Sequence, residues 1–264
     1  MSFFQKFFLY YEFNGSYTSY SDQLGSGAFI DYRHYLWMVL IPLLAVIGYQ
    51  FFKKHPKAGN ITVMVLAVSL FTFRLGHQTA RAILGVETPW TQAFPFHMCT
   101  VLTFILPLTI IFKWKKIETP VYVLAMMGGI ITALMGDYFS SQFMNMYTLE
   151  GMSAHTLLIL LPIYQISLGR FKLEFKNSLS VIIGVLILMG WATLANEVFY
   201  VGLDPNYMYL RHNGLPGDLG GEYYFLIYTA IFFLFFGLIF GIPESYRKFN
   251  RKPEVKIKQS MQIS

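Results

Sequence analysis

Charge is scarce in this sequence, and so is cysteine. Charged residues make up 13% of the 264 residues, against roughly a quarter in ordinary soluble domains. One cysteine, Cys99, excludes an internal disulfide and any zinc or iron–sulfur site built from several cysteines. Also missing are a glycine-rich phosphate loop after a strand, a GxSxG elbow and an HExxH pair. Their absence removes nucleotide hydrolysis, the serine-hydrolase layout and the zincin layout. No internal repeat, low-complexity run or heptad pattern interrupts the chain.

What fills the space is apolar. Hydrophobic residues reach 55% and aromatics 18%, which places the chain in a lipid bilayer as one membrane domain over 1–264. Seven stretches approach the roughly 20 residues that a bilayer core requires: 35–52, 60–82, 95–113, 118–136, 153–169, 177–199 and 222–243. The fold class expected is therefore all-α, a polytopic bundle of seven transmembrane helices over 35–243. The aromatic start, MSFFQKFFLYY, lacks a small-residue cleavage site and reads as an interfacial segment (1–22) rather than a secretory signal.

Orientation follows from the basic residues. Lysines 53, 54 and 57 follow the first span, lysines 113, 115 and 116 the third, and Arg170, Lys172 and Lys176 the fifth. Arg247, Lys248, Arg251, Lys252, Lys256 and Lys258 follow the seventh, so fifteen of twenty basic residues share one side. Ten of fourteen acidic residues fall on the other. The expectation is an amino terminus outside, a basic cytoplasmic tail (244–264) and a multi-pass protein of the plasma membrane. The net charge of +6 then faces a membrane surface, not a nucleic acid.

Polar residues inside spans are costly and usually face the bundle interior, where they mark function. Arg74, His77, Gln78 and Arg81 recur at helical spacing on one face of the second span. Arg74 stands about 20 Å of helix rise above Asn60, in the outer half. His97 and Cys99 open the third span behind Pro95, Asp137 ends the fourth, and His155 opens the fifth after Ser153 as N-cap. Asn196 and Glu197 end the sixth, and the following loop adds Tyr207 and Arg211. All of these gather in one outer layer, while the cytoplasmic halves read as apolar filling. Each alone has a plain structural reading: a small apolar filler for Cys99, helix-packing histidines, snorkelling arginines, interfacial acids. Independent interfacial residues, however, need not line one cavity.

A cysteine in the first turn of a helix meets unpaired N–H groups that favour a thiolate. A thiolate near a neutral imidazole suits acyl transfer, with histidine as base and then acid. His155 is the candidate base; His97 is a rival, although residues two apart on a helix face different ways. The arginines suit a phosphate headgroup, and Asp137 or Glu197 would orient a histidine or pair an arginine. Two other classes stay open. A lipid or solute binding or transport protein would use the same polar cavity, although transport favours midplane sites and inverted repeats. A metal-dependent hydrolase would draw on His77, His97, His155, Asp137 and Glu197.

Three runs, Phe-Pro-Phe-His-Met-Cys (94–99), Met-Ser-Ala-His (152–155) and Asn-Tyr-Met-Tyr-Leu-Arg (206–211), resemble the YwaF-like bacterial integral membrane proteins. That family looks like the bacterial branch of the human transmembrane protein 164 acyltransferases. The resemblance runs from the second span to the seventh. It implies fatty-acyl transfer between phospholipids, with Cys99 as nucleophile and His155 as base. Arg74, His77, Arg81, His97, Tyr207 and Arg211 would bind substrate, and Asp137, Asn196 and Glu197 would support them. No cofactor, no nucleic acid and no obligate protein partner is expected. The chain departs from the family's pattern after Arg211, where His212, Asn213 and Gly214 replace further basic residues and a proline.

Overall fold

The structure is a computed structural model that describes residues 32–83, 94–135, 146–199, 205–215 and 219–249. Among these residues it is helical throughout, with no strand. Seven helices carry it: α1 Tyr32–Lys54, α2 Pro56–Ile83, α3 Met98–Phe112, α4 Glu118–Met135, α5 Met146–Ser167, α6 Ser178–Leu194 and α7 Tyr224–Phe249. The segments Tyr32–Lys54, Pro56–Thr79, Phe175–Phe199 and Gly221–Phe249 are long and apolar enough to cross a membrane; Met98–Phe112 and Glu118–Leu134 are shorter apolar helices. The interfacial segment (1–22), Asp137 and the tail beyond Phe249 lie outside the described residues, while residues 244–249 of the expected tail continue α7.

Local chemistry sets the helix ends. Pro56 starts α2, a position where its missing N–H costs nothing. After α5 the chain turns left-handed at Gly169 (φ 68°), and the Arg170 N–H reaches back to the Gln165 carbonyl, a Schellman closure. Two boundaries differ from expectation. Pro95 precedes α3 without entering it, and His97 is the N-cap, with Cys99 second in the helix. The fifth helix begins at Met146, not Ser153, so Ser153 caps nothing and His155 sits in the third turn. Hydropathy missed that first stretch because Tyr147, Thr148 and Glu150 dilute it.

The core is organised on α4. Val121 to Gly129 is buried without a break, so this helix is apolar all round and enclosed by α3, α5 and α6. α5 in turn packs on α1 and α2. The outward faces of α1, α6 and α7 expose Leu36, Val39, Ile187, Leu226 and Leu234 by more than half each. Apolar patches that continuous suit acyl chains, not water.

Contacts between helix ends sort the residues into two poles. At one pole the Lys115 ammonium bonds Glu118 and the Arg170 carbonyl, and Arg247 donates to the Leu173 carbonyl. That pole is not the plain apolar filling that the sequence suggested. Ser167 donates to the Tyr49 carbonyl at 2.6 Å, and Tyr164 to the Leu44 carbonyl at 3.0 Å, each tying α5 to α1. At the opposite pole lie the end of α2, the start of α3, the end of α4, the start of α5 and the end of α6.

Candidate functional site

Two consecutive glycines of α4 hold the site together. A Cβ on Gly128 would stand 2.9 Å from Cys99 Sγ; one on Gly129 would stand 2.9 Å from the backbone oxygen of His155. Helices α3 and α5 thus approach the same turn of α4, which brings Cys99 and His155 to one level from two sides. One turn further along α4, Thr132 Oγ1 lies 3.8 Å from Cys99 Sγ, a long sulfur hydrogen bond. The half-buried Cys99 packs against the main apolar core.

The His155 ring is oriented from its own helix. Its Nδ1 is 2.8 Å from the Gly151 carbonyl oxygen. A carbonyl only accepts, so in the neutral ring Nδ1 carries the proton and Nε2 keeps the lone pair. His155 is buried, and the hydrogen-bond partner of the Cys99 sulfur is the Thr132 hydroxyl.

Beside them sits a buried ion pair that the sequence reading did not assign. Arg74 Nη1 meets Glu150 Oε1 at 2.5 Å, and His77 Nδ1 lies 3.7 Å from Glu150 Oε2. The Arg74 and Glu150 side chains are only 12% and 4% exposed, so the pair is held largely out of water, where removing one partner is costly. The sequence offered Asp137 or Glu197 as the partner of an arginine; the structure pairs Arg74 with Glu150, which the early start of α5 carries into the bundle, and Arg211 with Glu197, while Asp137 lies outside the described residues. Gln78, on the same face of α2, is buried as its spacing implied. Arg81 lies on α2, but its side chain is outside the described residues.

Above the start of α3 sits the loop 205–215. Asn196 is 2% exposed and grips Tyr207 from both sides: its Oδ1 accepts the Tyr207 N–H at 2.8 Å and its Nδ2 donates to the Tyr207 carbonyl at 3.1 Å. It can do so because α6 loosens into a π turn, Ala195–Phe199. The Met208 N–H donates to His97 Nδ1 at 3.3 Å, and the rings of Tyr207 and Tyr209 flank His97. His97 is therefore a loop anchor whose Nδ1 is already an acceptor. Met208 and Tyr209 are both left-handed (φ 54° each), an uncommon state for such side chains. Asn206 holds the rest, accepting from the Arg211 and His212 N–H groups at 3.1 Å each. Phe96 is buried against Trp191 and Tyr207, and Trp191 donates to the Pro95 carbonyl at 2.8 Å.

The structure thus joins Arg74 and His77 through Glu150, sets Cys99 and the backbone of His155 against adjacent glycines of α4, and joins His97, Tyr207 and Asn196 through the loop 205–215. It sets Arg211 apart: Arg211 Nε pairs with Glu197 Oε1 at 3.3 Å, with side chains 34% and 54% exposed. Among the described residues, no three His, Cys, Asp or Glu side chains converge as a metal ligand set.

The sequence profile of the TMEM164 family matches residues 29–240. The chain belongs to the TMEM164 family. The match spans all seven helices up to the last turns of α7, and with the apolar helices it makes this a membrane protein. No curated protein and no solved structure matches the chain.

Proposed function

We propose that this TMEM164-family protein is an integral membrane acyltransferase that moves a fatty-acyl group between phospholipids through a thioester on Cys99. The observation that supports the reading is the packing of Cys99 Sγ on Gly128 and of the His155 backbone on Gly129, in a bundle that also buries the Arg74–Glu150 pair. His155 Nε2 accepts the thiol proton as sulfur attacks the ester carbonyl of a donor lipid. The tetrahedral oxyanion forms near Arg74 and collapses, expelling the lysophospholipid oxygen, which takes the proton from His155. A hydroxyl of the acceptor then gives its proton to His155 and attacks the thioester, releasing the new ester and the thiol. Before the first step Cys99 leaves Thr132. Arg81, Arg211 and Tyr207 belong to the headgroup side of this reading, with Asn196 and Glu197 holding the loop.

The same proposal includes seven spans in the plasma membrane, the amino terminus outside and the carboxyl terminus in the cytoplasm. It sets the chain among the YwaF-like bacterial proteins by its three motifs. The clustering of lysines and arginines at the pole opposite Cys99 supports an outer-leaflet site.

A thiol-reactive lipid probe applied to membranes tests the pair. Cys99 is expected to take the label, and His155→Ala to abolish it. Equal labelling of that variant would defeat the paired mechanism and leave a lipid- or solute-binding cavity as the better account.

A further inference from the structure

A threonine in an apolar helix ordinarily turns its hydroxyl back onto its own backbone. Thr72, Thr109, Thr156, Thr193 and Thr229 all do so, each donating to the carbonyl four residues back at 2.7–2.9 Å. Thr132 does not follow them. Its hydroxyl reaches across from α4 to α3 and meets Cys99 Sγ at 3.8 Å, a long contact of the kind sulfur makes. Four residues before Thr132 stands Gly128, and the sulfur rests against it: a Cβ there would lie 2.9 Å from Sγ. Two successive turns of α4 thus seat the thiol, one by leaving it room and the next by offering a hydroxyl. The seat of the sulfur on α4 is separate from the bond to the Gly151 carbonyl that orients the imidazole.

We infer that Thr132 is a positioning residue that holds the resting thiol of Cys99 on α4 and gives it up when a donor lipid enters. While the site is empty, the S–H donates to the threonine oxygen, the better acceptor of the two groups. When the sulfur swings out, the Thr132 hydroxyl turns to the Gly128 carbonyl, the kind of bond that the other five threonines already make. No polar group is then left stranded in the bundle. Release exchanges one weak hydrogen bond for another, so it is easy, and the thiol stays quiet until then. This rests on the reading of Cys99 as nucleophile.

The test reads the thiol itself and needs no acyl transfer. Cys99 is the only cysteine, so its alkylation rate by N-ethylmaleimide in membranes at pH 7 is site-specific. Thr132→Val keeps the shape of the side chain and removes the hydroxyl, and alkylation is expected to speed up about threefold, as the loss of one weak hydrogen bond implies. Thr132→Ser keeps the hydroxyl and is expected to alkylate at the wild-type rate. A slower Thr132→Val would mean that the hydroxyl serves the thiolate instead, and an equal rate that Thr132 only fills space. An equally fast Thr132→Ser would mean that any change at this position loosens the bundle. Each of these three results would overturn the inference. If Thr132→Val does not fold, Thr132→Ala replaces it, with the same expected rise and the same comparison with Thr132→Ser. Failure here leaves the acyl-transfer reading standing, since that reading is judged by lipid labelling and lipid products.

Discussion

At the scale of single residues, the site is made of a few side chains whose partners dictate what they can do. Cys99 and His155 were legible because cysteine and histidine are rare and expensive in apolar helices. Thr132 was not, since a threonine in an apolar helix ordinarily bonds its own backbone. Glu150 was missed for a different reason: hydropathy set the start of the fifth helix seven residues too late, and a carboxylate in a loop looks harmless. Arg74 was recognised, but its pairing with Glu150 was not foreseen. Asn196 offers a clean residue-scale prediction. Asn196→Ala leaves both backbone groups of Tyr207 without their partner, a loss of about 2 kcal/mol. The melting temperature of the purified protein in detergent should fall, and Asn196→Asp, which keeps the acceptor, should recover part of the loss. No change in either would show that the loop is not held there. Breaking the buried pair is harsher; Arg74→Ala, which removes the guanidinium from Glu150, is expected to cost about 3–5 kcal/mol and to lower expression sharply.

At the scale of elements, the helices were legible for a physical reason: a bilayer crossing needs about 20 apolar residues, and little else in a chain looks like that. Helix ends were less so, because caps and polar first turns carry no hydropathy signal. The close approach at Gly128–Gly129 was invisible, since nothing in sequence tells a packing glycine from a flexible one. The two glycines predict different outcomes. A Cβ at Gly129 meets the backbone of His155 at 2.9 Å and Ile159 at 2.7 Å, so α4 and α5 must separate. Gly129→Ala should destabilise the protein by about 1–3 kcal/mol, read as a lower melting temperature. A Cβ at Gly128 meets only the ends of Cys99 and Met98. Gly128→Ala should keep the melting temperature near that of wild type but displace the thiol and depress lipid-probe labelling. Equal thermal loss in both would mean that the two positions play one packing role.

At the scale of the whole molecule, the separation of the two poles unites topology and function. Lysines and arginines meet at one end, and Cys99, His155 and the Arg74–Glu150 pair lie toward the other. In a Cys99→Ala background, a membrane-impermeant maleimide applied to intact cells should label Asn213→Cys and spare Lys115→Cys. The reverse pattern would turn the site to the cytoplasmic leaflet without altering its chemistry. The chemistry itself is tested most directly by lipid mass spectrometry of cells expressing wild type or Cys99→Ala at equal levels. Acyl transfer through Cys99 predicts a shifted acyl-chain distribution in at least one phospholipid class with wild type and the empty-vector profile with the variant. Identical acyl profiles for wild type, Cys99→Ala and empty vector would contradict it.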